Sequence, residues 1–132
     1  MSDEDKVGVV RRAYENFKTG NIAEIVDSVT DDVDWRVPEI SGAGFSGQRR
    51  GRDSIAGFFS NLAEEQDSVS FEPREFVAQG DKVVALGTYR WRVKRTGREY
   101  GGDWAHVFTV RDGKITGFHE FMDSAAAAAA YA

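Results

Sequence analysis

The chain has 132 residues, 41% hydrophobic and 30% charged, with a formal net charge of −5, as is typical of a single globular domain with no nucleic-acid partner. It has no cysteine, which excludes disulfides, thiolate nucleophiles and cysteine metal sites. No apolar run approaches the roughly 20 residues that cross a bilayer, and the acidic start MSDEDKVG lacks a signal core, so we expect a cytoplasmic protein with no membrane partner.

Three segments in the first half of the chain repeat apolar residues at steps of three and four, which predicts three amphipathic helices. The first helix ends at Gly20, the second begins at Asn21, and the third follows Gly51. Their apolar stripes are Val7, Val10, Tyr14 and Phe17; Ile22, Ile25, Val26 and Val29; and Ile55, Phe58, Phe59 and Leu62.

The remaining segments predict strands. DDVDWRVP lies between the second and third helices and ends at Pro38, and the glycine-rich EISGAGFSGQRRG after it is interpreted as a flap over a pocket mouth. After residue 67 the period becomes two, with predicted strands in SVSFEPREFVAQ, KVVALGTYRWRVKR, REYGGDWAHVFTV and KITGFHEFM. Pro73 indicates an edge or a bulge, Gly101-Gly102 a bulge, and Asp112-Gly113 a tight hairpin.

Helices segregated from an antiparallel meander predict an α+β domain. If the helices lie across the concave face of a curved sheet, a conical space remains between the layers, where a small ligand would bind. We see neither an internal repeat nor a linker, so residues 1–132 are predicted to form one domain. Residues 1–6 and the tail 124–132 are expected to be flexible or frayed, with a short frayed helix as one reading of the alanine-rich SAAAAAAYA.

Two stretches carry a family resemblance: DDVDWRVPEISGAGFSGQRRGRDSIAGFF and HVFTVRDGKITGFHEFMD. They resemble the nuclear-transport-factor-2-like superfamily, in particular its SnoaL-like and ketosteroid-isomerase-like branch, and the likeness extends from Val7 to Asp123. The resemblance implies a cone-shaped fold of three N-terminal helices packed on a curved, mainly antiparallel sheet around a deep apolar pocket. It also implies a homodimer formed through the outer sheet face.

His106 is the first candidate catalytic residue, because it interrupts an aromatic stripe between Trp104 and Phe108. If that face lines the cone, the imidazole can donate a hydrogen bond or transfer a proton near neutral pH. By resemblance its position matches the buried acid of ketosteroid isomerases and a pocket histidine of SnoaL-like cyclases. The alternative is a histidine that is hydrogen-bonded on the sheet and takes part in no chemistry.

Glu120 is the second candidate, and its direction depends on strand register. Simple closure of the Asp112-Gly113 hairpin pairs His106 with His119, whereas a one-residue bulge pairs it with Glu120. By resemblance, Glu120 lies near the carboxylate base of SnoaL-like cyclases, and a carboxylate beside aromatic rings suits proton abstraction next to a carbonyl. With the other register Glu120 is solvated, and the sequence leaves both registers open.

Two departures argue against steroid isomerisation. Where ketosteroid isomerases carry a catalytic aspartate on the first strand, this chain has Val37, and the tyrosine of their first helix falls nearest Ala13, one residue from Tyr14. The residues expected to bind substrate are Tyr14, Trp35, Val37, Phe59, Trp104, Phe108, Phe118 and Met122. Their aromatic rings favour a flat or apolar ligand, or else they are only core.

The leading hypothesis is a SnoaL-like enzyme of isomerase or cyclase type that binds a small hydrophobic carbonyl compound, with Glu120 as base and His106 as acid or oxyanion donor. The alternatives are a small-molecule binding protein without chemistry and, third, a protein-interaction module. No cofactor is expected, and no metal, because ligand spacing such as H-E-x-x-H is absent.

Overall fold

The structure, a computed structural model, describes residues 1–132 as four helices and one six-stranded sheet. The helices are α1 (Asp3–Lys18), α2 (Ile22–Ser28), α3 (Asp53–Glu65) and α4 (Ser124–Tyr131). The strands are β1 (Val29–Val37), β2 (Gly47–Arg50), β3 (Gln66–Gln79), β4 (Lys82–Val93), β5 (Glu99–Arg111) and β6 (Lys114–Phe121). No helix is long and apolar enough to cross a membrane.

The sheet has the strand order β2-β1-β6-β5-β4-β3. Only the β1–β6 pair is parallel, so the sheet is mixed but mainly antiparallel, as predicted. Strand β3 lies at one edge and its register shifts between Pro73 and Glu75, which agrees with the reading of Pro73 as an edge and bulge signal.

The three predicted helices are present, and their ends follow the sequence signals in part. Gly20 has a φ of +76° just beyond α1, as expected for a glycine that ends a helix. Asn21 directly precedes α2, as predicted, but its side chain makes no capping hydrogen bond to the helix. Instead it is Ser2 that forms a reciprocal capping box with Asp5 at the start of α1.

Four local expectations differ from the structure. Residues 47–50, read as part of a loop, form strand β2 and pair with β1, and only the preceding segment is irregular. The β4–β5 register runs without a shift through Gly101-Gly102, so the predicted bulge is absent there. The two ends expected to be frayed are helical: α1 begins at Asp3 and the tail forms α4, whose Ala127, Ala130 and Tyr131 are buried.

Close packing between neighbouring strands, rather than a bulge, explains the glycine at position 101. A Cβ built there would lie 2.5 Å from the carbonyl oxygen of Tyr89, so the neighbouring strand can approach only a residue without a side chain. The close approach keeps β4 and β5 in continuous pairing along the wall that carries Tyr89 and Tyr100.

The inward sheet face and the helices enclose the core. Alternate residues of β4 and β5 are buried, including Tyr89, Val93, Trp104 and Phe108, while Arg90 points outward. The buried stripes of α1 and α3 supply Val10 and Ile55 among others. Because α1 and α3 span the curved face without filling it, an aromatic-lined cavity remains between the layers.

Candidate active site

The hairpin between β5 and β6 decides which polar side chain faces His106. Asp112 and Gly113 both have positive φ angles, 51° and 77°, which form the predicted two-residue turn. Arg111 pairs with Lys114, the register then shifts between Thr109 and Val110, and His106 is paired with Glu120. The bulged alternative is therefore the register that this structure adopts, and His119 is paired with Val107 on the outer face.

Three side chains form a hydrogen-bonded chain at one wall of the cavity. The Nε2 atom of His106 lies 2.8 Å from Oε2 of Glu120, and its Nδ1 atom lies 2.8 Å from the hydroxyl oxygen of Tyr14. His106 is only 4% exposed, whereas the side chain of Glu120 is 23% exposed. The carboxylate thus connects a buried imidazole to the cavity.

The chemistry of the three groups fixes the direction of these bonds. An ionised carboxylate can only accept, so His106 Nε2–H donates to Glu120. In the neutral imidazole Nδ1 then carries the lone pair, and the Tyr14 hydroxyl donates to it. Burial, and secondarily the negative charge of Glu120, raises the pKa of Tyr14 above its usual value, so this hydroxyl remains a neutral donor.

Aromatic packing holds the imidazole in place. His106 stacks on Trp104 with ring centroids 4.0 Å apart, and Phe118 contacts it edge-on at 4.8 Å. Tyr14 stacks on the same ring at 5.9 Å. Because both ring nitrogens are occupied within the protein, His106 orients Glu120 rather than presenting a free donor to the cavity.

The cavity has a volume of about 90 Å³ and is partly open to solvent. Apolar concave spaces of this kind are where small organic ligands usually bind. Most of its lining is hydrophobic, and the one carboxylate in the lining is Glu120. Among the residues expected to bind substrate, the lining includes Tyr14, Trp35, Phe59, Trp104, Phe108, Phe118 and Met122.

Val37 is the exception among the expected pocket residues. It is 5% exposed and belongs to the core, but it does not line the cavity. Val37 pairs with Gly47 at the last position of β1, and the segment that follows contributes Ile40 and Phe45 to the lining instead. The placement of those two residues is consistent with the flap interpretation of that segment.

Three polar residues of the lining were not assigned to the pocket from the sequence: Gln66, Tyr89 and Tyr100. The hydroxyls of Tyr100 and Tyr131 both donate to Oε1 of Gln66 at 2.8 Å. Alternation along β4 puts Tyr89 and Trp91 on one face of the strand, but alternation alone does not indicate which face is inward. Gln66 follows α3 without any sequence signal for burial.

No group of three or more histidine, aspartate or glutamate side chains lies close enough together to hold a metal ion. What the geometry offers is a carboxylate, held by the imidazole of His106, at the wall of an apolar cavity. Such a carboxylate can remove a proton from a carbon acid whose ring system is held by the aromatic lining.

Comparison with known proteins identifies the relatives of this chain. The SnoaL-like domain family matches residues 10–118. The crystal structure of an NTF2-like protein from Burkholderia xenovorans LB400 is 31% identical, with a TM-score of 0.90, covering 100% of this chain and 99% of that one. That of TerC co-crystallized with polyporic acid is 29% identical, with a TM-score of 0.85, covering 96% and 98%.

A relative of similar length occurs in Mycobacterium tuberculosis, an uncharacterized protein that is 28% identical over 127 residues, 96% of this chain and 95% of that protein. The family match covers most of the chain, and the two solved structures share its fold over almost their whole length. The chain belongs to the SnoaL-like domain family of the NTF2-like superfamily.

Proposed function

We propose that this protein binds a small, hydrophobic carbonyl compound and catalyses proton transfer at the carbon next to the carbonyl, as in isomerase or cyclase reactions. The observation that carries the proposal is the 2.8 Å bond between His106 Nε2 and Glu120 Oε2 inside an aromatic cavity. The relative TerC, 29% identical, was co-crystallized with polyporic acid, which supports ligand binding by this branch of the fold.

Glu120 acts as the base in this proposal. Its Oε2 atom is held by His106, which leaves Oε1 to take the proton from the α-carbon of the substrate. The C–H bond breaks, its electron pair moves into the C–C bond, and the carbonyl oxygen takes the negative charge of an enolate. Return of the proton to another carbon completes an isomerisation. In a cyclisation the enolate carbon attacks a second carbonyl, whose C=O π bond breaks to give an alkoxide, and that oxygen takes the proton back from Glu120.

His106 and Tyr14 are positioning residues in this scheme. The N–H of the imidazole fixes the orientation of the carboxylate, and the hydroxyl of Tyr14 fixes the tautomer of the imidazole. The expected role of His106 as a direct acid would require it to release Glu120. The geometry supports the indirect role.

The test uses 2-tetralone, a bicyclic ketone, in D₂O, with deuterium incorporation at its α-carbons followed by NMR. The wild-type protein should accelerate exchange over buffer, and Glu120→Gln should lower the acceleration by about 10²-fold or more, the usual contribution of a general base. Glutamine keeps the acceptor for His106 but cannot take the proton. Glu64→Gln, on the exposed face of α3, is the matched control and should leave the rate unchanged.

Two outcomes would contradict the proposed enzymatic function. If the wild-type protein binds 2-tetralone, as measured by calorimetry, without accelerating exchange, the cavity is that of a binding protein. Equal acceleration by the Glu120→Gln variant would place the base elsewhere.

A further inference from the structure

Two buried donors in the cavity have no partner within the protein. The hydroxyl oxygen of Tyr89 and the Nε1 atom of Trp35 are buried and make no hydrogen bond, and both residues line the cavity. Tyr89 is 6% exposed and Trp35 4%. Since buried polar groups in folded proteins are almost always hydrogen-bonded, two orphans in one cavity need an explanation.

Several other polar groups of the lining are already partnered within the protein. Tyr14 donates to His106, and the hydroxyl of Tyr100 donates to Gln66. The indole N–H of Trp104 donates to the backbone carbonyl of Thr88 at 3.1 Å. Among the fully buried side-chain atoms of the lining residues, only those of Tyr89 and Trp35 lack a partner, and at both of them the missing group is an acceptor.

The two donors belong to lining residues on different parts of the sheet. Trp35 lies on β1 and Tyr89 on β4, and the order β1-β6-β5-β4 puts three strand spacings, about 14 Å along the sheet, between the two backbones. Trp35 stacks on Phe118 at 4.1 Å, so its indole also forms a flat wall. A single ligand that satisfies both donors must carry two separated acceptor oxygens.

The charge of Glu120, the proposed base, also acts on Tyr89. The negative charge of Glu120 adds to burial, the larger cause, in raising the pKa of Tyr89 to about 12, so its hydroxyl is a neutral donor at physiological pH in the field of that carboxylate. Tyr89 and Glu120 line the same cavity, so a carbonyl oxygen bound by Tyr89 would share that cavity with the base, and Tyr89 would stabilise the enolate oxygen that His106 is not free to bind.

We propose that the hydroxyl of Tyr89 and the indole N–H of Trp35 receive two carbonyl oxygens of the ligand, which makes the ligand a planar conjugated compound with oxygens on opposite sides of its ring system. This deepens, and rests on, the proposed function, because it names the substrate class of the same cavity. Neither residue is assigned a role by the comparisons with known proteins.

The test compares two probes with the same carbon skeleton: naphthalene, which has no oxygen, and 1,4-naphthoquinone, which has two across one ring. The absence of cysteine removes thiol addition as a side reaction of the quinone. Calorimetry with the wild-type protein should give at least tenfold tighter binding of the quinone. Tyr89→Phe and Trp35→Phe should each reduce that ratio about three- to tenfold, the range of one neutral hydrogen bond, while the affinity for naphthalene stays the same in Tyr89→Phe.

Tyr131→Phe is the matched control, because it removes a buried tyrosine hydroxyl that already has a protein acceptor, Gln66, and Tyr131 does not line the cavity. It should lower the urea midpoint of the free protein and leave the probe ratio unchanged, whereas Tyr89→Phe should leave the midpoint unchanged or raise it. An equal affinity of the wild-type protein for both probes, an unchanged ratio in Tyr89→Phe, or a loss in Tyr131→Phe as large as in Tyr89→Phe would overturn the inference.

These readouts are independent of proton transfer. If Glu120→Gln abolishes exchange on 2-tetralone while Tyr89→Phe leaves the probe ratio intact, the inference fails and the proposed function stands. If the probe ratio depends on Tyr89 but the wild-type protein exchanges no proton, the two donors belong to a binding protein and the proposed function fails.

Discussion

At the scale of single residues, the position of His106 in an aromatic stripe has a physical explanation. The ring fills the space that an aromatic side chain would fill, stacked 4.0 Å from Trp104, and it adds two hydrogen bonds that an aromatic hydrocarbon lacks. Those bonds join α1 to β5 and β5 to β6. The histidine therefore contributes both to packing and to the polar chain that ends at Glu120.

This dual role predicts the effect of His106→Phe. The protein should still fold, since phenylalanine keeps the stacking, but the buried hydroxyl of Tyr14 loses its acceptor, and the free energy of unfolding should fall by about 1–3 kcal/mol. Urea denaturation measures the loss. Tyr14→Phe in the His106→Phe background should then recover part of it, because the orphaned hydroxyl is gone.

His119→Phe is the control for this cycle. It makes the same substitution on the outer sheet face, where His119 has no part in the network, and should change the free energy of unfolding by no more than about 0.5 kcal/mol. Strictly additive effects of the His106 and Tyr14 substitutions would show that the hydrogen bond between them does not contribute to stability.

At the scale of elements, the sequence predicted the β5–β6 hairpin but not its register. Asp112-Gly113 marks the turn, since only a few residue types accept positive φ at both positions. The bulge beside Thr109 has no comparable signal, because it depends on how two strands fit rather than on a preference of one residue. Both Glu120 and His119 thus remained candidates until the strands were seen paired.

Tertiary contacts order helix α4, although its sequence alone predicts a frayed segment. A run of alanines is marginal as an isolated helix, yet here Asp123 caps it by accepting from the backbone N–H of Ala126 at 3.0 Å. Thr96 Oγ1 donates to the carbonyl of Ala130 at 2.7 Å, and Arg95 donates to that of Tyr131. Packing, capping and these bonds order a segment whose composition alone predicts fraying.

The anchoring of α4 gives a second prediction. Tyr131→Phe removes one of the two hydroxyls that donate to the buried Gln66 and should lower the free energy of unfolding by about 0.5–1.5 kcal/mol, as judged by urea denaturation. Ala125→Ser, on the exposed side of the same helix, should have a much smaller effect. An equal loss in both variants would mean that α4 contributes only helical propensity.

At the scale of the whole molecule, fold and cavity were easier to predict than chemistry. The order of helices and strands and two long motifs identified the superfamily, because periodicity and turn residues are repeated along the entire chain. The unpaired hydroxyl of Tyr89 was not predicted, because its significance depends on the absence of a hydrogen-bond acceptor near it. Unsatisfied donors become visible only when the three-dimensional neighbours of each group are known.

Exposed apolar residues on the outer sheet face indicate how two copies of the chain would assemble. Register places Phe121, Ala105 and Leu86 side by side across three strands, and His119, Val107 and Val84 in the next row. Phe121 is 49% exposed and Leu86 36%, and a contiguous apolar patch of this kind on a soluble domain usually marks an interface. We therefore expect a two-fold homodimer through this face, in which each patch packs on its copy.

Light scattering at micromolar concentration should return the mass of two chains, and Leu86→Asp should shift it toward one, because two carboxylates would be brought together in an apolar interface. Ala56→Asp adds the same charge on an exposed position of α3, away from the sheet, and should leave the dimer intact. A wild-type protein that is monomeric under these conditions would refute the assembly. Because the cavity is enclosed by elements of one chain, the monomeric Leu86→Asp variant should still bind 1,4-naphthoquinone with the affinity of the wild-type protein.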